Sequence, residues 1–113
     1  AASPSILHGE TLHADRFGNI LTSLGQFTVE PEGLRLHPWV GTAREMVLHP
    51  ERVNLHVPGG PALPLVRTFA EIPEGECAAL VGSTGLLEIV ANRASAAEIL
   101  GFQRGAPVSL IHV

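Results

Sequence analysis

Short apolar segments, some of them alternating with polar residues, recur along the chain, and this pattern predicts β-strands. The clearest example is 53–57, where Val, Leu and Val alternate with Asn and His and so share one face. Other extended segments are predicted at 6–14, 20–24, 34–36, 46–48, 63–70 and 108–113, the second ending near Gly25. Glycine and proline separate these segments, as in the turn predicted at 58–61. The spacing favours many short strands over a few long helices.

Two apolar runs near the C-terminal end predict a β-hairpin. Residues 77–81 are apolar on both faces and indicate a central strand, although the period alone also allows a helix. Residues 82–85, Gly-Ser-Thr-Gly, interrupt the apolar pattern, and 86–91 is a second apolar run with Glu88 inside it. A glycine-flanked turn between two such runs is typical of a hairpin.

One short helix is predicted after this hairpin. Ser95 and Glu98 have the spacing of a capping box, in which each side chain satisfies a free backbone amide of the other residue. Gly101 can take the left-handed conformation that ends a helix. The predicted fold is therefore all-β and mainly antiparallel, a small Greek-key-type barrel or sandwich with one short helix near the C-terminus. We expect a single β domain over residues 1–113.

Composition narrows the classes of partner. The 113 residues carry a formal charge of −4 and no lysine. Because a surface that binds nucleic acid is basic, we expect no nucleic-acid partner. No apolar run is long enough for a membrane span, and we expect no membrane partner. Cys77 is the single cysteine and is expected to act as a small buried hydrophobe. The six histidines have irregular spacing, so we predict no metal site.

Residues 15–19, Asp-Arg-Phe-Gly-Asn, combine an acid, a base, an aromatic ring and an amide within five positions. On composition alone the segment is more typical of a turn, since glycine and asparagine are turn formers. As a recognition loop it would offer a ring for stacking from Phe17, a donor and an acceptor from Asn19, and a carboxylate for an ammonium group from Asp15.

The turn at 82–85 allows the same two interpretations. Composition alone favours a plain hairpin turn. Free amides and hydroxyls between glycines can also bind a carboxylate or phosphate. The segment lacks the Gly-Lys-Ser/Thr ending of a Walker-type phosphate loop.

Three segments together resemble the C-terminal domain of the S-adenosylmethionine hydrolase (adenosine-forming) family, which also contains the fluorinating and chlorinating enzymes. They are 15–22 (DRFGNILT), 68–73 (TFAEIP) and 82–92 (GSTGLLEIVAN), the last followed by 95–101 (SAAEILG). The resemblance covers nearly the whole chain and is weakest over residues 25–65.

The resemblance implies an enzyme with an N-terminal catalytic α/β domain that this chain lacks. Family members form homotrimers, and S-adenosylmethionine lies between the N-terminal domain of one subunit and the C-terminal domain of its neighbour. Water releases adenosine and methionine without a further cofactor. The resemblance thus implies an enzyme whose C-terminal domain binds substrate and is not expected to be active alone; we expect no catalytic residue in this chain. The single cysteine fits a cytoplasmic protein, and this is the location we expect.

On the adenine side, the resemblance implies that Phe17 packs against the ligand rings and that Asn19 hydrogen-bonds the adenine. Phe69 would form an aromatic wall beside the base. The backbone around Asn92 and Arg93 would read the edge of the adenine. These roles suit flat rings, which stack, and amides, which match a base edge.

On the methionine side, the resemblance implies that Asp15 meets the ammonium group, and that Ser83 with Thr84 or its backbone holds the carboxylate. Thr84 and Ala91 stand where the halogenating enzymes have basic residues, which favours the hydrolase branch. Ser23 replaces the asparagine usual in the first motif. Two alternatives stay open: a stand-alone adenosine-binding β-barrel module without catalysis, and an oligomerisation domain.

Overall fold

The computed structural model describes residues 5–31, 33–37, 46–57 and 59–113, and these form a curled, half-barrel β-sheet. Its strands are β1 (Ser5–Ala14), β2 (Ile20–Glu30), β3 (Gly33–His37), β4 (Met46–Leu48), β5 (Val53–His56), β6 (Ala62–Pro64), β7 (Cys77–Val81), β8 (Leu86–Ala91) and β9 (Pro107–His112). Helix α1 (Ala96–Leu100) and two 3-10 turns, Pro50–Arg52 and Phe69–Glu71, complete the described elements. The predicted class, mainly antiparallel β with one short helix near the C-terminus, is confirmed.

Antiparallel ladders join the strands in the order β4-β3-β2-β1-β9-β5-β6, and β8 pairs with both β2 and β7. A parallel bridge between Leu65 and Ala79 links the chain just after β6 to β7, with the amide of Val66 donating to the carbonyl of Ala79 at 2.9 Å. The sheet therefore curls until its β6 end meets the β7–β8 hairpin.

The inner face of the curled sheet carries the main aliphatic core. Leu55, Ala79, Leu87 and Ile89 have no exposed surface, and Leu36 is almost as deeply buried. A second, smaller apolar cluster lies on the opposite, outer face of β7 and β8; its members are Ile72, Ala78 and Val90, with Val66 and Leu80 packed against them. Strand β7 is therefore apolar on both faces, as its sequence predicted.

Two predicted boundaries are wrong. Strand β2 does not end near Gly25 but continues to Glu30, because Gly25 takes a φ of +121° that allows a bulge within the strand. The segment 63–70 does not stay extended: it forms the short β6, and then Thr68 begins the 3-10 turn. Glu71 accepts hydrogen bonds at Oε2 from the amides of Arg67 (2.6 Å) and Thr68 (3.0 Å), which stabilises this turn.

Helix α1 begins and ends where predicted. Ser95 Oγ accepts a hydrogen bond from the amide of Glu98 at 3.2 Å, and Gly101 ends the helix with a φ of +65°. Of the turn predicted at 58–61, Pro58 lies outside the described residues. Within the described ranges no helix is long and apolar enough to cross a membrane.

Cys77 lies at the edge of the main core rather than inside it. Its side chain is half-buried, and this burial raises the pKa of the thiol. The prediction of a small buried hydrophobe is therefore met only in part.

Candidate functional site

The turn between β1 and β2 is shaped by the carboxylate of Asp15. Its Oδ1 accepts hydrogen bonds from the amide of Phe17 at 2.8 Å and the amide of Asn19 at 3.0 Å. The amide of Asp15 also donates to the carbonyl of Asn19 at 2.9 Å. Asp15, Phe17 and Asn19 therefore lie in one turn, and one oxygen of Asp15 is already used to hold it.

Gly18 fastens this turn to helix α1. Its φ is +83°, and a methyl group at this position would overlap the Ser95 hydroxyl. Its carbonyl accepts a hydrogen bond from the amide of Ala97 at 2.9 Å. Because only glycine combines this backbone angle with such a close approach, the turn and the helix cap form one unit.

Phe17 points out of the turn and is 65% exposed. The guanidinium carbon of Arg16 lies 4.8 Å from the centre of its ring, a cation–π distance. Asn19 is half-buried, and its side-chain amide has no hydrogen-bond partner among the described residues. The turn therefore presents an aromatic ring and a free amide, the two groups that would match a base.

Ser83 and Thr84 occupy the turn between β7 and β8, and both are exposed. The turn is closed by two backbone hydrogen bonds of 2.9 Å, from Gly82 to the carbonyl of Leu86 and from Gly85 to the carbonyl of Gly82. Gln26 Nε2 donates to the carbonyl of Thr84 at 2.5 Å. Within the described ranges neither hydroxyl has a protein partner, so both stay available to a ligand.

Asn92 uses its backbone and its side chain in hydrogen bonds within the protein. Its amide donates to the carbonyl of Glu76 at 3.2 Å, and its carbonyl accepts from Gly75 at 2.8 Å. Its side-chain Nδ2 donates to the carbonyl of Ile72 at 2.8 Å. Arg93 is exposed, with a φ of +55°, and no described hydrogen bond uses its backbone. Of this pair, Arg93 is the residue left with backbone groups for an adenine edge.

Phe69 lies on the 3-10 turn Phe69–Glu71 and is 45% exposed. Its carbonyl accepts from the amide of Ile72 at 3.0 Å, and Ile72 in turn accepts from Asn92. Phe69 and Asn92 are thus connected through Ile72, while no described contact joins them to the Asp15 turn. The structure brings the predicted residues together in three groups: Asp15–Asn19, Ser83–Thr84, and Phe69 with Asn92–Arg93.

Glu88 belongs with the first two groups, although the sequence interpretation gave it no role. It pairs with Leu21 on β2 and Leu80 on β7, so its side chain lies on the outer face, opposite the main core. A methyl group at Gly82 would overlap Glu88 Oε2, which places the carboxylate beside the Ser83–Thr84 turn. The available signal was a single acid inside an apolar strand.

No described group compensates the charge of Glu88. Burial raises the pKa of this carboxyl, and the nearby negative charge of Asp15 raises it further. Among the described residues the Glu88 carboxylate has neither a hydrogen bond nor an ion pair. An acid in this position is typical of a functional site rather than of a stabilising contact.

A large cavity in the described part of the chain lies elsewhere, at one end of the half-barrel. It has a volume of about 890 Å³, and core residues such as Leu63 and Val108 form part of its wall. None of the eight predicted site residues lines it. The described residues also contain no group of three or more side chains suited to a metal ion. The candidate site is therefore an open outer face bordered by two turns.

Comparison with known proteins identifies the family. A family model described as the SAM hydroxide adenosyltransferase C-terminal domain matches residues 9–109. The chain belongs to this family. It is 41% identical over 103 residues to a protein of Thermus thermophilus named (R)-S-adenosyl-L-methionine hydrolase, covering 91% of this chain and 31% of that protein.

Two solved structures share the fold. A conserved hypothetical protein from Thermus thermophilus superposes with a TM-score of 0.65 at 39% identity, covering 91% of this chain and 34% of that one. An uncharacterized conserved protein from Thermotoga maritima superposes with a TM-score of 0.61 at 20% identity, covering 91% of this chain and 35% of that one. This likeness concerns the fold alone. The chain spans about a third of the length of these relatives.

Proposed function

We propose that this chain is the substrate-binding β domain of an enzyme that hydrolyses S-adenosylmethionine to adenosine and methionine. The observation that carries the proposal is the pair of turns on one face: Asp15 to Asn19 supplies a carboxylate, a ring and a free amide, and Ser83 with Thr84 supplies free hydroxyls. The membership of the family and the name of the Thermus relative support the choice of ligand.

In the proposed reaction, the oxygen of water bonds to the ribose 5′ carbon while the bond from that carbon to sulfur breaks. The electron pair leaves with the sulfur as methionine, and the proton of the water is released to solvent. The positive sulfonium is already a good leaving group, so the proposal includes no cofactor. The attacking water is positioned by a domain outside this chain.

The proposed adenine contacts are Asn19, the ring of Phe17, the ring of Phe69 and the backbone at Arg93. Both rings are largely exposed in the isolated domain, at 65% and 45%. Large exposed aromatic rings are typical of surfaces that a partner or ligand covers. We further propose that this partner is the N-terminal domain of a neighbouring subunit in a cytoplasmic homotrimer, with the ligand between the two domains.

The protein encoded by the natural gene should convert S-adenosylmethionine in ¹⁸O-labelled water to adenosine carrying one ¹⁸O, with an equal amount of methionine. Mass spectrometry of both products tests this directly. A 5′-halogenated product instead would contradict the choice of water. Adenosine binding without turnover would favour the stand-alone binding module, and binding of neither ligand would overturn the proposal.

Asn19→Ala in that protein should raise KM for S-adenosylmethionine about tenfold, because a base edge loses its partner. Asn54→Ala is the matched control: Asn54 is an exposed amide on β5, outside the proposed site, and its loss should leave KM unchanged. Residues 1–113 alone should release no adenosine. Turnover by the purified domain at a rate near that of the natural protein would show that the chemistry resides in this chain.

A further inference from the structure

Glu88 lies on the outer face of β8, beside the turn that contains Ser83 and close to Asp15 of the other turn. Its strand neighbours Leu87 and Ile89 are fully buried in the core, so the alternation of β8 directs Glu88 to the outer face. On that face its carboxylate lies against Gly82, one residue from Ser83. It is also near enough to Asp15 for the charge of Asp15 to act on it.

The amino-acid part of S-adenosylmethionine constrains where its binding groups can lie on the protein. Its ammonium and carboxylate are attached to the same carbon, so the groups that bind them must be adjacent on the protein. Ser83 and Thr84 are the proposed partners of the carboxylate. A carboxylate beside Gly82 is therefore in the right place for the ammonium, and a hydrogen bond between opposite charges is stronger than a neutral one.

We propose that Glu88 binds the α-ammonium group of the ligand together with Asp15, and so selects ligands that carry an amino-acid tail over nucleosides that lack one. This inference rests on the proposed function and adds one residue to the same site. Asp15 has one oxygen committed to the amides of Phe17 and Asn19, which leaves room for a second acid. The carboxylate of Glu88 has no protein partner to displace among the described residues.

The absence of a side chain at position 82 is part of this arrangement. Gly82 has an ordinary backbone angle, so its small size rather than a positive φ is what the site requires. A methyl group there would overlap the flexible end of Glu88 and displace its carboxylate, with little effect on the backbone. Gly82→Ala therefore tests the position of Glu88 without removing its charge.

Two readily obtained ligands allow the contribution of the amino-acid tail to binding to be measured apart from that of the nucleoside. S-adenosylhomocysteine and 5′-methylthioadenosine share the adenosine and the thioether, and they differ in the amino-acid tail. In the protein encoded by the natural gene, Glu88→Gln should weaken S-adenosylhomocysteine at least about tenfold and 5′-methylthioadenosine less than about twofold, measured by titration calorimetry. Gly82→Ala should show the same selective loss. Glu10→Gln, an exposed acid on β1, should change neither affinity.

The outcomes distinguish this inference from the proposed function. If the unmodified protein releases adenosine from S-adenosylmethionine but Glu88→Gln binds both ligands as before, Glu88 has no role and only the inference fails. If Glu88→Gln weakens both ligands equally, Glu88 does not read the tail, and the inference fails as well. If the unmodified protein neither binds these ligands nor releases adenosine, both the function and the inference are overturned.

Discussion

Leu87 and Glu88 are neighbours on β8, yet they belong to two different parts of the molecule. Leu87 is completely buried in the aliphatic core, and its carbonyl accepts the Thr22 hydroxyl at 2.8 Å. Glu88 lies half-buried on the outer face, where burial and the nearby charge of Asp15 both oppose the ionisation of Glu88. The inner face of the strand thus stabilises the fold, while the outer face carries a group that folding alone does not favour. Opposite effects of substituting these two neighbours would establish this division.

Leu87→Ala should have the largest effect, because it opens a cavity at a position with no exposed surface. We expect a loss of about 2–5 kcal/mol in the free energy of unfolding, measured by urea denaturation. Leu86→Ala, at the half-buried neighbouring position on the outer face, is the matched control and should cost clearly less. Equal losses at 86 and 87 would contradict the assignment of the two faces.

Gly18→Ala should come second, at about 1–3 kcal/mol, because it combines a positive φ with an overlap onto Ser95. Gly101→Ala is the control that measures the cost of the positive φ without an overlap. Gly101 has a φ of +65° but no atom within 4 Å of an added methyl group, so about 1 kcal/mol is expected. Thermal unfolding of both variants measures the difference. If the two losses were the same, the contact between the turn and the helix cap would contribute nothing.

Glu88→Gln should have the smallest effect on stability, and with the opposite sign. The folded protein raises the pKa of Glu88, so the ionised carboxylate opposes folding at any pH above that raised value. At pH 7 the variant should be more stable by roughly 0.5 kcal/mol, a small gain because solvent screens a half-buried charge. Near pH 3.5, below the ordinary pKa of glutamate, the gain should vanish.

Differential thermal unfolding at the two pH values measures this gain, with Glu10→Gln as the control for removing one exposed charge. A variant less stable than the parent at pH 7 would mean that Glu88 makes a favourable contact in the fold. Taken with the selective loss of ligand affinity expected for the same substitution, a gain would show a residue kept for binding at some expense of stability.

Local patterns predicted much of this fold, because the hairpin 77–91 and helix α1 depend on residues close in sequence. The two apolar runs with the glycine-flanked turn between them were sufficient for the hairpin, and the Ser95 and Gly101 caps were sufficient for the helix. The path of β2 beyond Gly25 was not predictable in this way, since a glycine there can either end a strand or form a bulge. Leu36 and His37, which pack against Gly25, come from another strand.

The candidate site was predictable only where a motif identified it. Asp15 and Asn19 lie in one turn and were predicted to act together. Glu88 was not, because its proposed role depends on Gly82 and Asp15, which the sheet brings to it from other elements. Asn92 shows the reverse case: its hydrogen bonds to the segment 72–76 give it a structural role that the motif does not reveal.

The contact between Gly18 and helix α1 has a consequence for protein engineering. The recognition turn and the helix cap are far apart in the sequence, yet the carbonyl of Gly18 and the amide of Ala97 are bonded directly. A loop graft that replaced residues 15–19 alone would have to keep glycine at position 18, because an added side chain there would overlap Ser95. We therefore expect the two segments to be exchanged best as one cassette, and an insertion between Asn92 and Ser95 to disturb the recognition turn through its contacts at Gly18.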